Sequence, residues 1–315
     1  MGLLEQLQTR VLTADGAMGT LLYSYGLNNC HEEMNKTKPD VVTKIHKQYI
    51  DAGADIIQTN TYGANRIKLS RYGLEDCVEE LNTAAVRLAK EAAAGTDVFV
   101  LGTIGGIRGL RGENIELKEI EEAITEQAEI LIREGVDGIL LETYYDFEEI
   151  KAVVQVVRQL TELPIIAQVS MQEPGILQGG ISFKDALYDL EALGADIVGA
   201  NCNLGPFHTI QAFEKVDLLN RAYLSAYPNA SLLDLEDGRI VYESEADYFA
   251  RAAEELVKQG VRLIGGCCGT TPKHIKATKK RLAKLKPVEV KVTSEGWTEF
   301  VRQPDPRIFE PLHEK

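Results

Sequence analysis

The chain has 315 residues, of which 44% are apolar and 26% charged, and this composition excludes a disordered or fibrous protein. Its 34 basic and 48 acidic residues give a net charge of −14 at pH 7, which would repel nucleic acid. No run of about 18 apolar residues is present, so we expect no membrane-spanning segment. The length suits one α/β barrel better than two or three ordinary domains.

The compartment can be inferred from the first residues and from the cysteines. The N-terminus has neither the basic region nor the continuous apolar core of a signal peptide. Five cysteines are a sparse and odd number, typical of a reducing compartment where cysteines are free, metal-bound or catalytic. We therefore expect a cytoplasmic protein.

Short β-branched runs alternate with longer amphipathic stretches along most of the chain. The strand candidates are residues 11–14, 56–60, 98–103, 138–142, 165–170, 197–202, 222–226 and 263–265. This alternation predicts parallel strands joined by right-handed crossovers, and eight such units predict an α/β fold of the (β/α)8 TIM barrel type. A doubly wound sheet is the alternative, but the glycines of residues 15–20 lack the dinucleotide-binding spacing.

The alternating pattern ends near residue 285. Residues 286–315 are rich in proline, lysine and glutamate and contain the only tryptophan, Trp297. We therefore predict one barrel domain over residues 1–285 and an extended C-terminal tail over residues 286–315. The tail would be a linker to a further domain or an arm on a partner subunit.

Polar residues follow the predicted strands at the points where the strands end. In this fold the active site lies at the carboxyl ends of the strands. The residues at these ends include Asp15, Asn60, Thr103, Glu142, Ser170, Cys202, Tyr227, Asn229, Cys267 and Cys268. Three of the five cysteines are thus predicted to meet on one rim.

Cys267 and Cys268 are adjacent and have glycines on both sides. Adjacent side chains on a strand point to opposite faces, but these glycines allow the backbone to leave strand geometry. Together with Cys202 they would supply three thiolates, and three protein ligands with an open fourth position form a catalytic zinc site. The alternative is three small buried residues in a glycine-rich barrel end. Cys30 and Cys77 lie away from this rim, and we expect both to be structural.

Several motifs in combination resemble the homocysteine S-methyltransferases over about residues 5–285. They are residues 15–20 (Asp-Gly-Ala-Met-Gly-Thr), 58–61, 142–143, 199–202, 227–229 and 265–270 (Gly-Gly-Cys-Cys-Gly-Thr). The last motif is most similar to the homocysteine domain of cobalamin-dependent methionine synthase, and to a barrel that some bacteria fuse to methylenetetrahydrofolate reductase. Betaine–homocysteine methyltransferase and the S-methylmethionine-dependent enzymes belong to the same family.

The resemblance implies a Zn²⁺-binding barrel in which Cys202, Cys267 and Cys268 hold the metal. It also implies an enzyme that transfers a methyl group to the thiol of homocysteine, forming methionine. A free thiol has a pKa near 8.5 and is mostly protonated at neutral pH. Zinc would bind the substrate sulfur as a thiolate, which can attack an electrophilic methyl group.

The amino-acid end of homocysteine needs partners for its ammonium and carboxylate groups. We predict that Asp15 and Glu142 pair with the ammonium, and that the N–H groups of Gly16 and Ala17 receive the carboxylate. A helix N-cap is the alternative role for Asp15. Packing explains Glu142 poorly, because an unpaired glutamate is rarely buried. We expect Asn201, also assigned to the substrate site, to orient the loop that bears Cys202.

The sequence leaves the methyl donor open between S-methylmethionine, S-adenosylmethionine and methyltetrahydrofolate. Betaine is the weakest candidate, since its quaternary ammonium would need surrounding aromatic residues. Thr59, Asn60 and Thr61 either line the donor side or make hydrogen bonds at a strand end. Residues 108–112 contain two arginines, which either meet an anionic donor such as folate or form a solvated loop.

Three functions are compatible with these patterns. The first is an independent zinc-dependent homocysteine methyltransferase. The second is the homocysteine-activating module of a larger methionine synthase or reductase fusion, inactive without its donor domain. The third is a non-catalytic zinc or thiol-binding protein, which the carboxylates beside the cysteines disfavour. We expect no nucleic-acid or membrane partner, and either a homo-oligomer or a fused reductase domain.

Overall fold

Eight parallel strands form the inner wall of the molecule. The computed structural model describes residues 1–26, 30–109, 114–231, 234–236, 239–241 and 245–291. The wall consists of β1 (Leu12–Thr13), β2 (Ile56–Gln58), β3 (Phe99–Gly105), β4 (Gly138–Tyr144), β5 (Ile165–Val169), β6 (Ile197–Asn201), β7 (Tyr223–Tyr227) and β10 (Val261–Ile264). Neighbours follow the order β1-β10-β7-β6-β5-β4-β3-β2. A parallel bridge between Ala14 and Ile56 closes the ring, so the predicted (β/α)8 barrel is confirmed.

Helices surround this wall. They are α1 (Leu3–Thr9), α2 (Gly19–Ser24), α3 (Met34–Thr37), α4 (Pro39–Asp51), α5 (Arg66–Ser70), α6 (Val78–Ala93), α7 (Leu117–Arg133), α8 (Phe147–Leu160), α9 (Phe183–Ala192), α10 (Pro206–Glu214), α11 (Ala246–Lys258) and α12 (Pro272–Leu282). An antiparallel hairpin of β8 (Asp234–Glu236) and β9 (Arg239–Val241) lies between β7 and α11. The sequence patterns predicted neither α1 nor this hairpin. Among the described residues, no helix is long and apolar enough to cross a membrane.

A repeated Gly-x-Asp segment precedes β2, β4 and β6, at residues 53–55, 135–137 and 194–196. Each glycine has a positive φ, between 79° and 102°, which lets the chain turn out of the helix. Each aspartate then accepts a backbone N–H from the start of the preceding strand, at 2.7–2.9 Å. The repeat therefore sets the alignment of strand pairs at the amino end of the barrel.

The interior of the barrel is filled from the amino end by leucine and isoleucine side chains. Leu3 and Leu7 of α1 belong to the same buried cluster as Leu12, Ile56 and other inward-facing strand residues. The first helix thus closes the amino end and adds to the core. The opposite, carboxyl end is where the polar strand-end residues gather.

The barrel ends with α12, close to the predicted boundary at residue 285. Beyond it, the Lys291 ammonium donates to the carbonyls of Phe213, Glu214 and Val216 at 2.6–2.8 Å. These contacts hold residue 291 against the end of α10. Residues 292–315, including Trp297, lie outside the described residues, so the division into a domain and a tail stays a prediction.

We predict that Leu7→Ala lowers the free energy of unfolding by about 2–5 kcal/mol, because it leaves a cavity at the closed end of the barrel. Urea unfolding followed by circular dichroism measures this change. The exposed neighbour Gln8 provides the control, and Gln8→Ala should change stability by less than about 0.5 kcal/mol. Equal unfolding midpoints for Leu7→Ala and the wild type would show that α1 is not part of the core.

Candidate functional site

One cavity of about 370 Å³ opens at the carboxyl ends of the strands. Seven of the eight predicted site residues line it, namely Asp15, Gly16, Ala17, Glu142, Cys202, Cys267 and Cys268. The eighth, Asn201, is only 2% exposed and lies beside Glu142 and Cys267. The fold therefore brings the predicted residues together.

The three rim cysteines form a cluster whose sulfur atoms all lie within 4.8 Å of one another. The Sγ atoms of Cys202 and Cys268 are 3.8 Å apart, and all three cysteines are free. Two sulfurs bound at 2.3 Å to one tetrahedral zinc ion would be about 3.8 Å apart. The cluster thus has the size and the soft donor atoms that suit a single zinc ion.

Cys267 and Cys268 lie in the cysteine loop, residues 265–270, which begins after β10 ends at Ile264. The N–H of Cys267 donates to Pro228 O, and Cys268 O accepts from the N–H of Ala230, both at 2.9 Å. These two bonds tie the loop to the segment after β7. The backbone has left strand geometry, as predicted, and this allows both adjacent side chains to face the cavity.

The raised pKa values of Cys202 and Cys267 show that these thiols are hard to ionise so close together. The pKa of Cys267 lies well above its ordinary value, because of its hydrogen bonds with Cys202 and Cys268, with burial adding to the effect. For Cys202 the hydrogen bond with Cys267 lowers the pKa, but the bond with Cys268 and burial outweigh it and raise the pKa to about 12. A divalent cation among the sulfurs would favour the thiolates instead.

Asn201 connects the cysteine cluster to the end of β4. Its side chain accepts the N–H of Thr143 at 2.7 Å and donates to Thr143 Oγ1 at 2.7 Å. It also lies 3.3 Å from a Glu142 oxygen and 3.8 Å from Cys267 Sγ. Thr143 and Cys202 both have a φ of +59°, which costs a non-glycine residue about 1–3 kcal/mol. Asn201 therefore holds the strained end of β4 and contacts Cys267, whereas its expected role in orienting the Cys202 loop stays a prediction.

Asp15 is buried, with 2% exposure, and both its oxygens accept hydrogen bonds from Gln58. The Gln58 N–H and side-chain amide donate at 2.9 and 2.7 Å. Burial raises the pKa of Asp15 to about 7, although these bonds oppose the shift. The following helix, α2, has Met18 at its N-cap, so the N-cap alternative for Asp15 is wrong.

Glu142 is partly exposed, and it lines the cavity. Burial raises the pKa of Glu142 to about 8, and the nearby charges of Asp15 and Cys268 add to this effect. Three carboxyl groups, counting that of Glu32, and three thiols therefore line one small cavity. A ligand with a positive group would relieve the cost of ionising these carboxyls.

The loop after β1 makes a close contact that the sequence did not suggest. The N–H of Ala17 donates to Thr270 Oγ1 at 3.0 Å, so it already has an acceptor before any substrate arrives. A Cβ at Gly16 would come within 2.5 Å of the same oxygen, which explains the need for glycine there. The carboxylate-binding role of Gly16 and Ala17 stays a prediction.

Several cavity residues were not among the predicted site residues. They include His31, Glu32, Tyr62 and Tyr145. The two tyrosines lie just beyond the ends of β2 and β4, and this position after a strand is the signal that could have identified them. A Cβ at Gly105 would come within 2.6 Å of three Tyr62 ring carbons, and Lys68 Nζ lies 3.9 Å from the ring centroid.

The residues weighed for the methyl-donor side differ in position. Thr59 and Asn60 line the cavity, whereas Thr61 is fully buried and donates to Thr103 O at 2.7 Å. The Arg108 guanidinium donates to Ile115 O and pairs with Asp146 at 3.3 Å. These contacts connect the segment after β3 to residues near the starts of α7 and α8. Residues 110–113 lie outside the described residues.

The fold and the site together define an α/β barrel with a cluster of three cysteines at the carboxyl ends of its strands, and comparison with known proteins gives the family. Residues 12–282 match the sequence model described as homocysteine S-methyltransferase. The chain belongs to this family of methyltransferases. It is 34% identical over 313 residues to methionine synthase of Mycobacterium tuberculosis, covering 93% of this chain and 26% of that protein.

Two further relatives extend the comparison. Methionine synthase of Mycobacterium leprae is 33% identical over 302 residues, covering 90% of this chain and 25% of that protein. This chain thus spans about a quarter of the length of both synthases. The metallated form of the homocysteine methyltransferase MmuM from Escherichia coli superposes with a TM-score of 0.73 at 25% identity, covering 86% of this chain and 96% of that one.

We predict that Glu142→Gln makes the metal-free protein progressively more stable than the wild type as the pH rises from 5 to 9. The folded-state pKa of Glu142 is raised to about 8, so the wild type loses stability as the pH rises from the unfolded pKa, near 4.3, through this value. Glutamine stays neutral and avoids the loss. Thermal unfolding across this pH range provides the measurement.

The exposed Glu122 supplies the control for this comparison. The difference between Glu122→Gln and the wild type should stay flat over the same range. Parallel stability curves for Glu142→Gln and the wild type would contradict the raised pKa.

Proposed function

We propose that this chain binds homocysteine in the cavity and transfers a methyl group to its thiol, forming methionine, with one Zn²⁺ held by Cys202, Cys267 and Cys268. The observation that carries the proposal is the arrangement of three free thiols within 4.8 Å of one another, in a cavity that is also lined by the carboxyl groups of Asp15, Glu32 and Glu142. Membership in a family of methyltransferases supports catalysis over a non-catalytic thiol-binding role.

Three cysteine ligands leave one tetrahedral position for a substrate sulfur. When bound, zinc supplies the positive charge that favours the thiolate form of homocysteine at neutral pH. The protein residues keep the three ligands in place, through the cysteine loop at the end of β10 and through Asn201 at the end of β6.

In our proposal Asp15 and Glu142 bind the ammonium group of homocysteine. Both carboxyls have raised pKa values, and a nearby positive charge favours their ionised forms. Gly16 and Ala17 lie on the same loop as Asp15 and would face the substrate carboxylate. Gly16 has no side chain that could block the approach of this carboxylate. Asn201 acts indirectly, by holding Glu142 and Cys267 in fixed positions.

A second candidate is that the chain is the homocysteine-activating module of a larger methionine synthase or reductase fusion. The observation that favours it is that the chain spans only about a quarter of the methionine synthases it resembles. Methyl-transfer assays of this chain with S-methylmethionine, S-adenosylmethionine and methyltetrahydrofolate separate the two candidates. Turnover with a small donor supports an independent enzyme, whereas homocysteine binding without turnover supports a module.

We predict about one zinc per chain in the wild type and a large loss of zinc in Cys267→Ser. The substitution removes one of three thiol ligands, and a hydroxyl is a poor ligand for zinc compared with a thiolate. Plasma mass spectrometry after dialysis measures the content. Cys77→Ser, which removes a thiol outside the cluster, should keep its zinc, and equal zinc in both variants would refute the ligand assignment.

We predict that homocysteine releases about one proton more than homoserine when it binds at pH 7, because a protonated thiol is a poor metal ligand. Protons lost by Asp15 and Glu142 to the ammonium group are common to both amino acids and cancel in this difference. Calorimetry in buffers with different ionisation enthalpies measures the two numbers. The difference should shrink as the pH passes the free thiol's pKa, near 8.5, and should vanish in metal-free Cys267→Ser. Tight homocysteine binding at pH 7 without this extra proton would place the substrate thiol beside the metal rather than on it.

A further inference from the structure

We propose that Thr270 is a positioning residue that couples the amino-acid site to the metal site. It would do so by joining the β1 loop, residues 15–18, to the cysteine loop. The effect on homocysteine rests on the proposed function, whereas the coupling between the loops does not. Thr270 is fully buried, and its hydroxyl contacts both loops.

The hydroxyl of Thr270 uses its donor and its acceptor capacity on different loops. It donates to Cys267 O at 2.6 Å and accepts the N–H of Ala17 at 3.0 Å. A hydroxyl has a single proton, so these two bonds fix its orientation. A shift of the cysteine loop must therefore either move the β1 loop or break one of the two bonds.

The side chain of Thr270 also fills the space between one glycine from each loop. A Cβ at Gly16 would lie 2.5 Å from Thr270 Oγ1, and a Cβ at Gly266 would lie 2.4–2.7 Å from three Thr270 atoms. Such distances are far below ordinary contact, so each glycine allows the backbone to approach this side chain. Thr270 thus explains one glycine in each motif, Gly16 and Gly266, and Tyr49 adds to the crowding at Gly16.

Tyr49 of α4 reinforces the same junction from outside. Its hydroxyl lies 2.8 Å from Ala17 O and 3.3 Å from Thr270 O. The N–H of Gly266 donates to Asp15 O at 3.0 Å. These contacts keep the loops adjacent. Loss of the Thr270 hydroxyl should therefore make the relative position of the two loops less fixed without separating them.

The relative position of the two loops matters because homocysteine has to reach both of them at once. Its amino-acid end would lie near Asp15 and Ala17, and its sulfur near Cys267. Because the distance between the loops is already fixed, less conformational entropy is lost when homocysteine binds. Thr270 touches neither the sulfur cluster nor the substrate in this account, and acts through the backbone.

Thr270→Val tests the proposal, because valine keeps the shape and removes both hydroxyl bonds. We expect the dissociation constant for homocysteine to rise about tenfold while the zinc content stays at the wild-type level. Thr270→Ser keeps the hydroxyl and should bind within about threefold of the wild type. Thr278→Val is the matched control, since Thr278 is fully buried and its Oγ1 has no hydrogen-bond partner.

Amide hydrogen exchange tests the coupling without homocysteine. Adding zinc to the metal-free wild type should slow exchange in the β1 loop by about threefold or more. The same slowing should appear in Thr270→Ser and Thr278→Val but not in Thr270→Val. A general loss of folding would instead raise exchange throughout the barrel and lower the melting temperature.

Two results would overturn the proposal. One is a Thr270→Val protein that matches Thr278→Val in both homocysteine binding and zinc-dependent exchange. The other is tighter homocysteine binding by Thr270→Val, which would mean that Thr270 competes with the substrate carboxylate for the Ala17 N–H. If the wild type binds no homocysteine at all, the proposed function fails, while the exchange measurement still decides the coupling.

Discussion

The site depends on bringing thiols from two non-adjacent strands to within contact of one another. Cys202 follows β6 and Cys268 follows β10, with β7 between them, so the strands themselves are about 10 Å apart. The inward turn at Cys202, with its positive φ, and the cysteine loop close this gap to 3.8 Å between sulfurs. The repulsion between thiolates at this distance makes a cation favourable there.

The same cavity is also unfavourable for ionised carboxylates. Asp15 and Glu142 both have raised pKa values, chiefly because the surrounding protein shields their carboxyl groups from water. A cavity that destabilises several negative charges favours ligands that bring positive ones. A metal ion at the cysteines and an ammonium group at the carboxyls would together meet this requirement. The electrostatics of the cavity therefore agree with the proposed substrate, an amino acid that also has a thiol.

Neutral side chains connect the charged parts of the site. Asn201 links the end of β4 to the cysteine cluster, and Thr270 links the β1 loop to the cysteine loop. Hydrogen bonds from an amide or a hydroxyl fix positions without adding a further charge to a crowded cavity. The strained backbone at Thr143 persists because its two hydrogen bonds with Asn201 hold it in place.

The sequence alone determined the barrel and most of the cavity wall. Its eight alternating units predict parallel strands, and the ends of such strands converge, so Asp15, Glu142 and the three cysteines could be assigned to one rim. The tertiary structure decided which groups contact each other across that rim. Ala17 and Thr270 are 253 residues apart, and no local pattern predicts a hydrogen bond between them, since it arises only when the last strand closes the barrel against the first.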